Sequence, residues 1–104
     1  MSPKIQMDPQ KIAEFCQRNR IRKLSLFGSV LRDDFGPESD VDVLVEFEPN
    51  AGVGLIRFAG IQIELEEILG RKVDLNTPKF FRPELRSKIL DQALVQYEAI
   101  GKSP

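Results

Sequence analysis

The sequence predicts an α/β fold, in which a small mixed sheet of three strands is covered by helices in the order α-β-α-β-α-β-α. Short segments with strand patterns alternate with longer segments whose apolar residues recur at helical spacing. Single glycines and prolines separate these segments, and the sequence contains no repeat or low-complexity tract. Because 104 residues suffice for one hydrophobic core but not for two, residues 1–104 are expected to form a single domain.

The first helix and the first strand occupy the segment before Gly28. Asp8-Pro9 is typical of an N-cap followed by proline at the first helical position, so a helix is expected over about residues 9–19. Apolar and polar residues then alternate in IRKLSLF, and this pattern predicts a strand that ends at Gly28.

A short helix and the clearest strand of the sequence follow. Ser29 is well placed to cap a helix that runs to about Asp34. The segment SDVDVLVEFEP is rich in β-branched residues and is stopped by Pro49-Asn50. We therefore expect it to be a strand in the centre of the sheet.

The second half of the chain predicts a helix, a short strand and a last helix. Apolar residues recur at helical spacing over residues 54–69, and Gly70 is typical of a helix end. The segment RKVDLNTP predicts the third strand, and helical spacing over residues 83–101 predicts the last helix. The helix between the second and third strands makes these two strands parallel. The relative direction of the first two strands stays open.

Charge and residue types exclude several classes of protein. The net charge of −1 and a pI near 5.5 provide no bulk positive field for gripping duplex nucleic acid. With no histidine, the chain lacks Ser-His and Cys-His nucleophile pairs and the commonest zinc ligand. Cys16 is the only cysteine and is expected to be a small buried hydrophobe. Because a single cysteine excludes an intrachain disulfide, we expect a protein of the reducing cytoplasm, and no membrane helix is predicted.

Three aspartates form the candidate catalytic and metal-binding group. Asp40 and Asp42 lie two residues apart on the predicted central strand, so their side chains project to the same side. At about 6 Å and an effective dielectric of about 20, two such charges repel by about 2.8 kcal/mol, and a cation would relieve this repulsion. Asp74 can stand at the same end of the sheet if its strand lies beside the central one. Carboxylates without histidine or cysteine favour Mg²⁺.

The turn at Gly28-Ser29 is the candidate phosphate-binding element. A glycine at the end of a strand lets the backbone approach a ligand closely, and a following helix start offers N–H groups to an anion. Arg32, three residues after Ser29, can add a bidentate charge. A lone Gly-Ser is usually only a capped turn, and a lone Asp-x-Asp is more often a solvated edge. Their combination with a third acid favours phosphoryl chemistry.

The stretch LFGSVLRDDFGPESDVDVLVEFEP resembles the signature of the DNA polymerase β-type nucleotidyltransferase superfamily, in which Gly-Ser is followed after ten residues by Asp-x-Asp. The longer pattern, with VGLIRFAGIQIELEEILGRKVDLNTP, is similar to the minimal nucleotidyltransferase (MNT) family of prokaryotes. This resemblance covers nearly the whole chain. It implies a polymerase β-like nucleotidyltransferase fold.

The resemblance also implies a function and a partner. Several members of this family act as antitoxins of a HEPN-domain toxin, and the resemblance implies that this chain transfers AMP from ATP to a tyrosine hydroxyl of such a partner. Carried over to this sequence, the resemblance assigns nucleotide binding to three residues and catalysis with Mg²⁺ to three more, namely Gly28, Ser29 and Arg32, and Asp40, Asp42 and Asp74. Asp33 stands where the family frequently has glycine. Its presence affects the turn and leaves the three acids in place.

Two other functions stay open. The chain can be a non-catalytic antitoxin that neutralises the HEPN toxin by binding alone. It can also be a nucleotidyltransferase for a small hydroxylated acceptor, which would need a pocket completed by another chain. A protein acceptor fits a chain of this size better, because a docked protein brings its own positioning surface.

Several other residues are expected to have structural roles. Tyr97 is expected to pack against the core as part of the last helix. Apolar residues near 53–58 and on the last helix can contact a partner, but their helical spacing makes core packing the stronger expectation. The glutamates near the end of the second long helix are expected to be solvated, with Arg71 and Lys72 balancing their charge.

Overall fold

The structure, a computed structural model, describes residues 7–31, 35–36 and 38–99. The helices and strands in these ranges are, in chain order, α1 (Pro9–Arg18), β1 (Ile21–Phe27), β2 (Val41–Phe47), α2 (Leu55–Leu69), β3 (Val73–Asn76), α3 (Pro83–Gln92) and β4 (Leu94–Glu98). Short 3₁₀ turns follow β1 and β3, at Gly28–Leu31 and Pro78–Phe80.

Helix α1 begins as the sequence predicts. The Asp8 carboxylate accepts a hydrogen bond of 2.9 Å from the backbone N–H of Gln10, and Pro9 occupies the first helical position. The apolar stripe of α1 is buried and consists of Ile12, Phe15 and Cys16. The predicted burial of the cysteine is therefore confirmed.

The sheet has the strand order β3-β2-β1-β4. Strand β2 lies between β1 and β3, so its predicted central place is confirmed. Strands β2 and β3 are parallel, as expected for two strands joined by the crossover helix α2. Strands β1 and β2 are antiparallel, which settles the direction that the sequence left open.

A fourth strand replaces the second half of the predicted last helix. Helix α3 ends at Gln92, and Ala93 leaves helical geometry at φ −66° and ψ 139°. Residues Leu94–Glu98 then pair antiparallel with β1. The prediction of three strands in the order α-β-α-β-α-β-α was therefore wrong. A short apolar segment can match both helical spacing and strand alternation, and the open edge of β1 decides between them.

The residue Tyr97 illustrates the same correction. Its partner in the sheet is Leu24 of β1, so it belongs to β4 and not to a helix. Its side chain nevertheless packs against the buried core. The predicted packing role is confirmed, whereas the predicted element was wrong.

The short helix expected from Ser29 to Asp34 is a 3₁₀ turn over Gly28–Leu31 in the described part of the chain. Residues 32–34 lie outside the described residues. The tight turn directs the chain away from the end of β1 before it returns as β2.

The core lies between α1, α2 and one face of the sheet. Helix α1 contacts β1 and β4, and α2 contacts β3. This face is lined by alternate strand residues that are buried, namely Leu24, Leu26, Val41, Val43, Val45, Val73 and Leu75. The intervening residues of β2 and β3 point to the opposite face, which carries Asp42 and Asp74. None of the helices in the described ranges has the length and apolar character to cross a membrane.

Of the three glutamates predicted to form a solvated face near the end of α2, Glu67 is exposed, whereas Glu64 and Glu66 hold neighbouring elements. The Glu64 carboxylate bonds with the Arg18 guanidinium and accepts a hydrogen bond of 3.2 Å from Asn19 Nδ2, so it links α2 to the end of α1. Glu66 Oε2 accepts a hydrogen bond of 2.9 Å from the backbone N–H of Val73. This second contact fixes the start of β3.

Candidate functional site

Two of the three candidate acids are brought together by the parallel pairing of β2 and β3. Asp42 and Asp74 are register partners and therefore lie side by side on the same face of the sheet. Asp40 comes directly before β2, two positions before Asp42. Asp40 and Asp74 are exposed and Asp42 is half-buried. We call the end of the sheet that carries Asp40, Asp42 and Asp74 the acid rim.

Gly28 lies directly against the Asp42 carboxylate. Phe27, the last residue of β1, pairs with Asp42, so the turn after β1 begins beside the acid rim. Gly28 has a φ of +72°, and a Cβ at this position would collide with Asp42 Oδ2 and lie 3.1 Å from Asp42 Cγ. The left-handed backbone conformation therefore favours glycine, and any larger residue would push the Asp42 carboxylate aside. The Asp42 carboxylate occupies the space that a side chain at position 28 would take.

The remaining residues predicted for phosphate binding are described only in part. Ser29 lies in the 3₁₀ turn that starts next to Asp42, and the structure describes its backbone only. Arg32, the third residue predicted to bind nucleotide, lies outside the described residues.

The donor atoms at the acid rim fit a hard divalent cation that also binds a phosphate. Magnesium prefers carboxylate oxygens and usually takes only one or two of them, together with water and substrate phosphate oxygens. Within the described ranges, no three carboxylate or thiol side chains are close enough to form a metal site by themselves. A cation at the acid rim would therefore contact fewer than all three of Asp40, Asp42 and Asp74 as they stand, and would take further oxygens from water or a bound nucleotide.

The Cys16 thiol is not a candidate nucleophile. It is fully buried in the core, and this burial raises its pKa to about 12. The thiol is therefore protonated at neutral pH and has no access to a substrate.

A cavity of about 580 Å³ lies at the end of the sheet opposite the acid rim, and the three acids do not line it. It is bordered by the last residues of β2, the start of α2 and the turn after β3, and Phe47, Val53, Leu55, Phe58 and Phe80 supply its apolar surface. We call this end of the sheet, together with Ile56 of α2, the apolar end. Leu55 is 82% exposed and Ile56 is 92% exposed, so the expectation that this segment is mainly core was wrong for these two residues.

Arg71 is a residue at the site whose role sequence reasoning missed. It was expected to balance the glutamates of α2. Its guanidinium instead stacks on Phe35 and donates hydrogen bonds to the carbonyl oxygens of Gly36 and Ser39, in the segment that leads into Asp40. An aromatic residue before a Gly-Pro turn was the available signal, but the sequence did not show that an arginine far along the chain would reach it.

Comparison with known proteins identifies the family to which this chain belongs. The family model described as "Nucleotidyltransferase domain" matches residues 9–95. The protein MJ0435 of Methanocaldococcus jannaschii, provisionally named a protein adenylyltransferase, is 35% identical over 85 residues. This alignment covers 82% of this chain and 89% of the relative.

Solved structures show the same architecture. A structure provisionally described as a minimal nucleotidyltransferase superposes with a TM-score of 0.70 at 32% identity, covering 83% of this chain and 86% of that chain. A Shewanella oneidensis complex, described as a tri-AMPylated HEPN toxin with an MNT antitoxin, contains a chain with a TM-score of 0.62 at 20% identity. This match covers 88% of this chain and 70% of that chain, and at this identity it shows a shared fold.

Proposed function

Since this chain belongs to the nucleotidyltransferase domain family, we propose that it is a protein adenylyltransferase that transfers AMP from ATP to a tyrosine hydroxyl of a HEPN toxin and thereby acts as its antitoxin. The family membership supports a nucleotide substrate. The name of the 35%-identical relative supports a protein acceptor. The complex of a modified HEPN toxin with an MNT antitoxin, which has the same fold, supports the class of partner.

The proposed reaction is a single phosphoryl transfer. The tyrosine oxygen attacks the α-phosphorus of ATP, a new oxygen–phosphorus bond forms, and the bond to the β-phosphate breaks so that pyrophosphate leaves. Asp74 is at the register position beside Asp42, where it can orient the acceptor hydroxyl and take its proton. In this proposal Asp40 and Asp42 would be the main metal ligands, and Asp74 would join them when nucleotide is bound. A bound Mg²⁺ supplies charge neutralisation on the phosphates.

The turn after β1 has the second role in this proposal. We propose that the backbone N–H groups of Gly28 and Ser29, in the turn beside Asp42, donate hydrogen bonds to phosphate oxygens. We propose that Arg32 adds positive charge to the triphosphate or to the leaving pyrophosphate. The observation that carries the whole proposal is the pairing of Asp42 with Asp74 beside a glycine whose missing side chain leaves room for the Asp42 carboxylate.

One observation favours the alternative of an antitoxin that acts by binding alone. The apolar end exposes Leu55, Ile56 and Phe80, which is 55% exposed, and it lies away from the acids. A partner bound there would bury apolar surface without using the acid rim. A small hydroxylated acceptor has no comparable support, because the 580 Å³ cavity is not lined by the acids.

The test is to mix the chain with the HEPN protein encoded beside it, ATP and Mg²⁺, and to measure the mass of the HEPN protein. We expect AMP adducts with the native chain and none with Asp42→Asn, because this change removes a charged metal ligand without removing a core contact. The matched control is Asp91→Asn, which makes the same change at an exposed position of α3.

The same variants separate catalysis from binding in cells that express the toxin. If transfer is the mechanism, Asp42→Asn loses protection and Asp91→Asn keeps it. Full protection by Asp42→Asn would instead support neutralisation by binding. Native chain that binds the HEPN protein but adds no AMP would defeat the proposed activity.

Three further expectations belong to this proposal. We propose that residues 1–104 form one domain, since one buried cluster joins residues from Ile12 to Leu75. We propose the reducing cytoplasm as the location, because the only cysteine cannot form an intrachain disulfide. We propose that the chain does not bind nucleic acid directly, in keeping with its net charge of −1.

A further inference from the structure

The segment that leads into Asp40 is a closed turn held by Arg71. The backbone N–H of Ser39 donates to the Gly36 carbonyl at 3.1 Å, and Ser39 Oγ accepts from the Gly36 N–H at 3.1 Å. One guanidinium nitrogen of Arg71 donates to the carbonyl oxygens of both residues, with 3.2 Å to that of Ser39. The Arg71 Cζ lies 4.4 Å from the centre of the Phe35 ring. Arg71 therefore contacts both the Phe35 ring and the backbone carbonyl oxygens of Gly36 and Ser39.

Asp40 is bracketed by anchored neighbours. On one side, Ser39 is held by Arg71. On the other side, the backbone N–H of Val41 donates to the carbonyl oxygen of Lys72 at 2.9 Å. Two successive residues of one segment thus hold the two residues that flank Asp40.

The segment that holds Asp40 is also the segment that carries Asp74. Arg71 and Lys72 lead directly into β3, where Asp74 is the second residue and the register partner of Asp42. The distance along the chain from Arg71 to Asp74 is three residues. The contacts of Arg71 and Lys72 therefore set the position of the turn before β2 relative to both strands of the acid rim.

We propose that Arg71 is a positioning residue for the acid rim: it fixes Asp40 relative to Asp42 and Asp74 through its contacts with Phe35, Gly36 and Ser39. This inference rests on the proposed function for its catalytic consequence, while the fixing of the turn stands independently of that function. The role requires an arginine, because a planar guanidinium can stack on a ring and donate in its own plane at the same time. A lysine retains the charge and can make part of these contacts.

The first measurement is amide hydrogen exchange on the chain without nucleotide, comparing the native protein with Arg71→Gln and Arg71→Lys. In Arg71→Gln we expect exchange at Ser39 and Val41 to become faster by about tenfold or more, with Val45 in the middle of β2 unchanged. Arg71→Lys should be intermediate. Lys11→Gln, at an exposed position of α1, removes the same charge and should leave these amides at the native rate.

The second measurement is binding of ATP in the presence of Mg²⁺ by calorimetry, followed by AMP transfer. We expect Arg71→Gln to weaken binding and transfer by about 10-fold to 100-fold, as is typical when a residue that orients metal ligands is lost. Arg71→Lys should recover part of this loss. Complete recovery by lysine would show that charge alone matters and would overturn the positioning role.

The exchange data distinguish failure of this inference from failure of the proposed function. Native-like exchange at Ser39 and Val41 in Arg71→Gln would overturn the inference even if the native chain transfers AMP. Faster exchange throughout β2, including Val45, would indicate general destabilisation and would overturn it as well. If the native chain neither binds ATP nor transfers AMP, the proposed function fails, and local exchange changes at Ser39 and Val41 still support the fixing of the turn by Arg71.

Discussion

The two ends of the sheet are organised in different ways. At the acid rim, charged and polar groups are held by the register of β2 and β3, by Gly28 and by the contacts of Arg71. At the apolar end, large side chains such as Leu55 and Ile56 are left exposed beside a cavity of about 580 Å³. Residues of the acid rim, where the proposed chemistry takes place, are therefore held in a defined geometry. The apolar end instead leaves large apolar side chains accessible.

The difference also concerns what each end contributes to folding. The buried side chains of α1, α2 and the sheet form one cluster that does not include Leu55 or Ile56. Leu55 and Ile56 consequently add little stability, although they belong to the same helix as the buried Ile61 and Leu65. This difference can be tested by comparing substitutions at the two ends of the sheet, and by comparing substitutions of buried and exposed residues of the same type.

The largest expected effect is that of Asp74→Asn on the acid rim. If Asp74 orients the acceptor and takes its proton, kcat for AMP transfer should fall by about 10²-fold to 10⁴-fold, while the KM for ATP changes much less. Asp42→Asn should both lower kcat for AMP transfer and raise the KM for ATP. Steady-state kinetics with the HEPN protein as acceptor measure the two constants, and Asp91→Asn is the control. An equal rise in KM for ATP would place Asp74 in nucleotide binding instead.

The next effect compares two leucines of the same helix. Leu65→Ala should lower the free energy of unfolding by about 2–5 kcal/mol, because Leu65 is fully buried and its loss leaves a cavity. Leu55→Ala should change it by about 0.5 kcal/mol or less, because Leu55 is 82% exposed. Urea unfolding measures both. Similar losses for the two variants would show that the apolar end is part of the folding core.

A smaller effect on stability is expected for the glycine at the acid rim. Gly28→Ala should lower the free energy of unfolding by about 1–2 kcal/mol, because alanine is strained at φ +72°. It should also lower AMP transfer by about tenfold or more, because its Cβ displaces Asp42. Thermal unfolding and the transfer assay measure the two effects.

Gly60→Ala is the matched control for this substitution. A Cβ at Gly60 meets no atom within 4 Å, and the residue lies within α2. Alanine there should raise the free energy of unfolding by about 0.5–1 kcal/mol and leave transfer unchanged. A Gly28→Ala protein with native activity would show that Asp42 can move without loss of function.

The smallest effect concerns the pH dependence that comes from Cys16. Burial raises the pKa of this thiol from 9.0 to about 12. Below pH 9 the thiol is protonated in both states, so it adds no pH dependence to stability. Between pH 9 and about 12 the unfolded state loses the proton while the native state keeps it, so the free energy of unfolding falls as pH rises.

The expected loss from this group is about 1 kcal/mol at about pH 10. Urea unfolding of the native chain and of Cys16→Ala at about pH 8 and pH 10 measures it, since other titrating groups are shared by both proteins. An identical alkaline loss in both proteins would contradict this contribution of Cys16.

Local signals in the sequence predicted most of the elements that position the site. Asp8-Pro9 begins α1, and Gly70 ends α2 with a left-handed φ of +67°. Alternating apolar residues predicted β1, a run rich in β-branched residues predicted β2, and the helix between β2 and β3 predicted the parallel pairing of these two strands. These features depend on residues close together in the sequence, or on the handedness of a crossover, and so they can be inferred without coordinates.

Features that depend on distant partners could not be inferred in the same way. The segment around Val95 and Tyr97 matches helical spacing and strand alternation about equally well, and its pairing with β1 makes it β4. Leu55 has the spacing of a core residue, yet it is the first residue of α2 and is 82% exposed. Arg71 has no local signal at all for its contact with Ser39, 32 residues earlier in the chain.

By itself, the sequence determined the α/β class, most helix and strand positions, and which acids and which glycine form the candidate site. Only the tertiary structure decided the fourth strand, the alignment of Asp42 with Asp74, and the contacts through which Arg71 holds the turn before Asp40. The physical reason is the separation along the sequence over which each kind of interaction acts. Caps, turns and periodicity act over a few residues, whereas strand pairing and side-chain contacts between distant segments form only when the whole chain has folded.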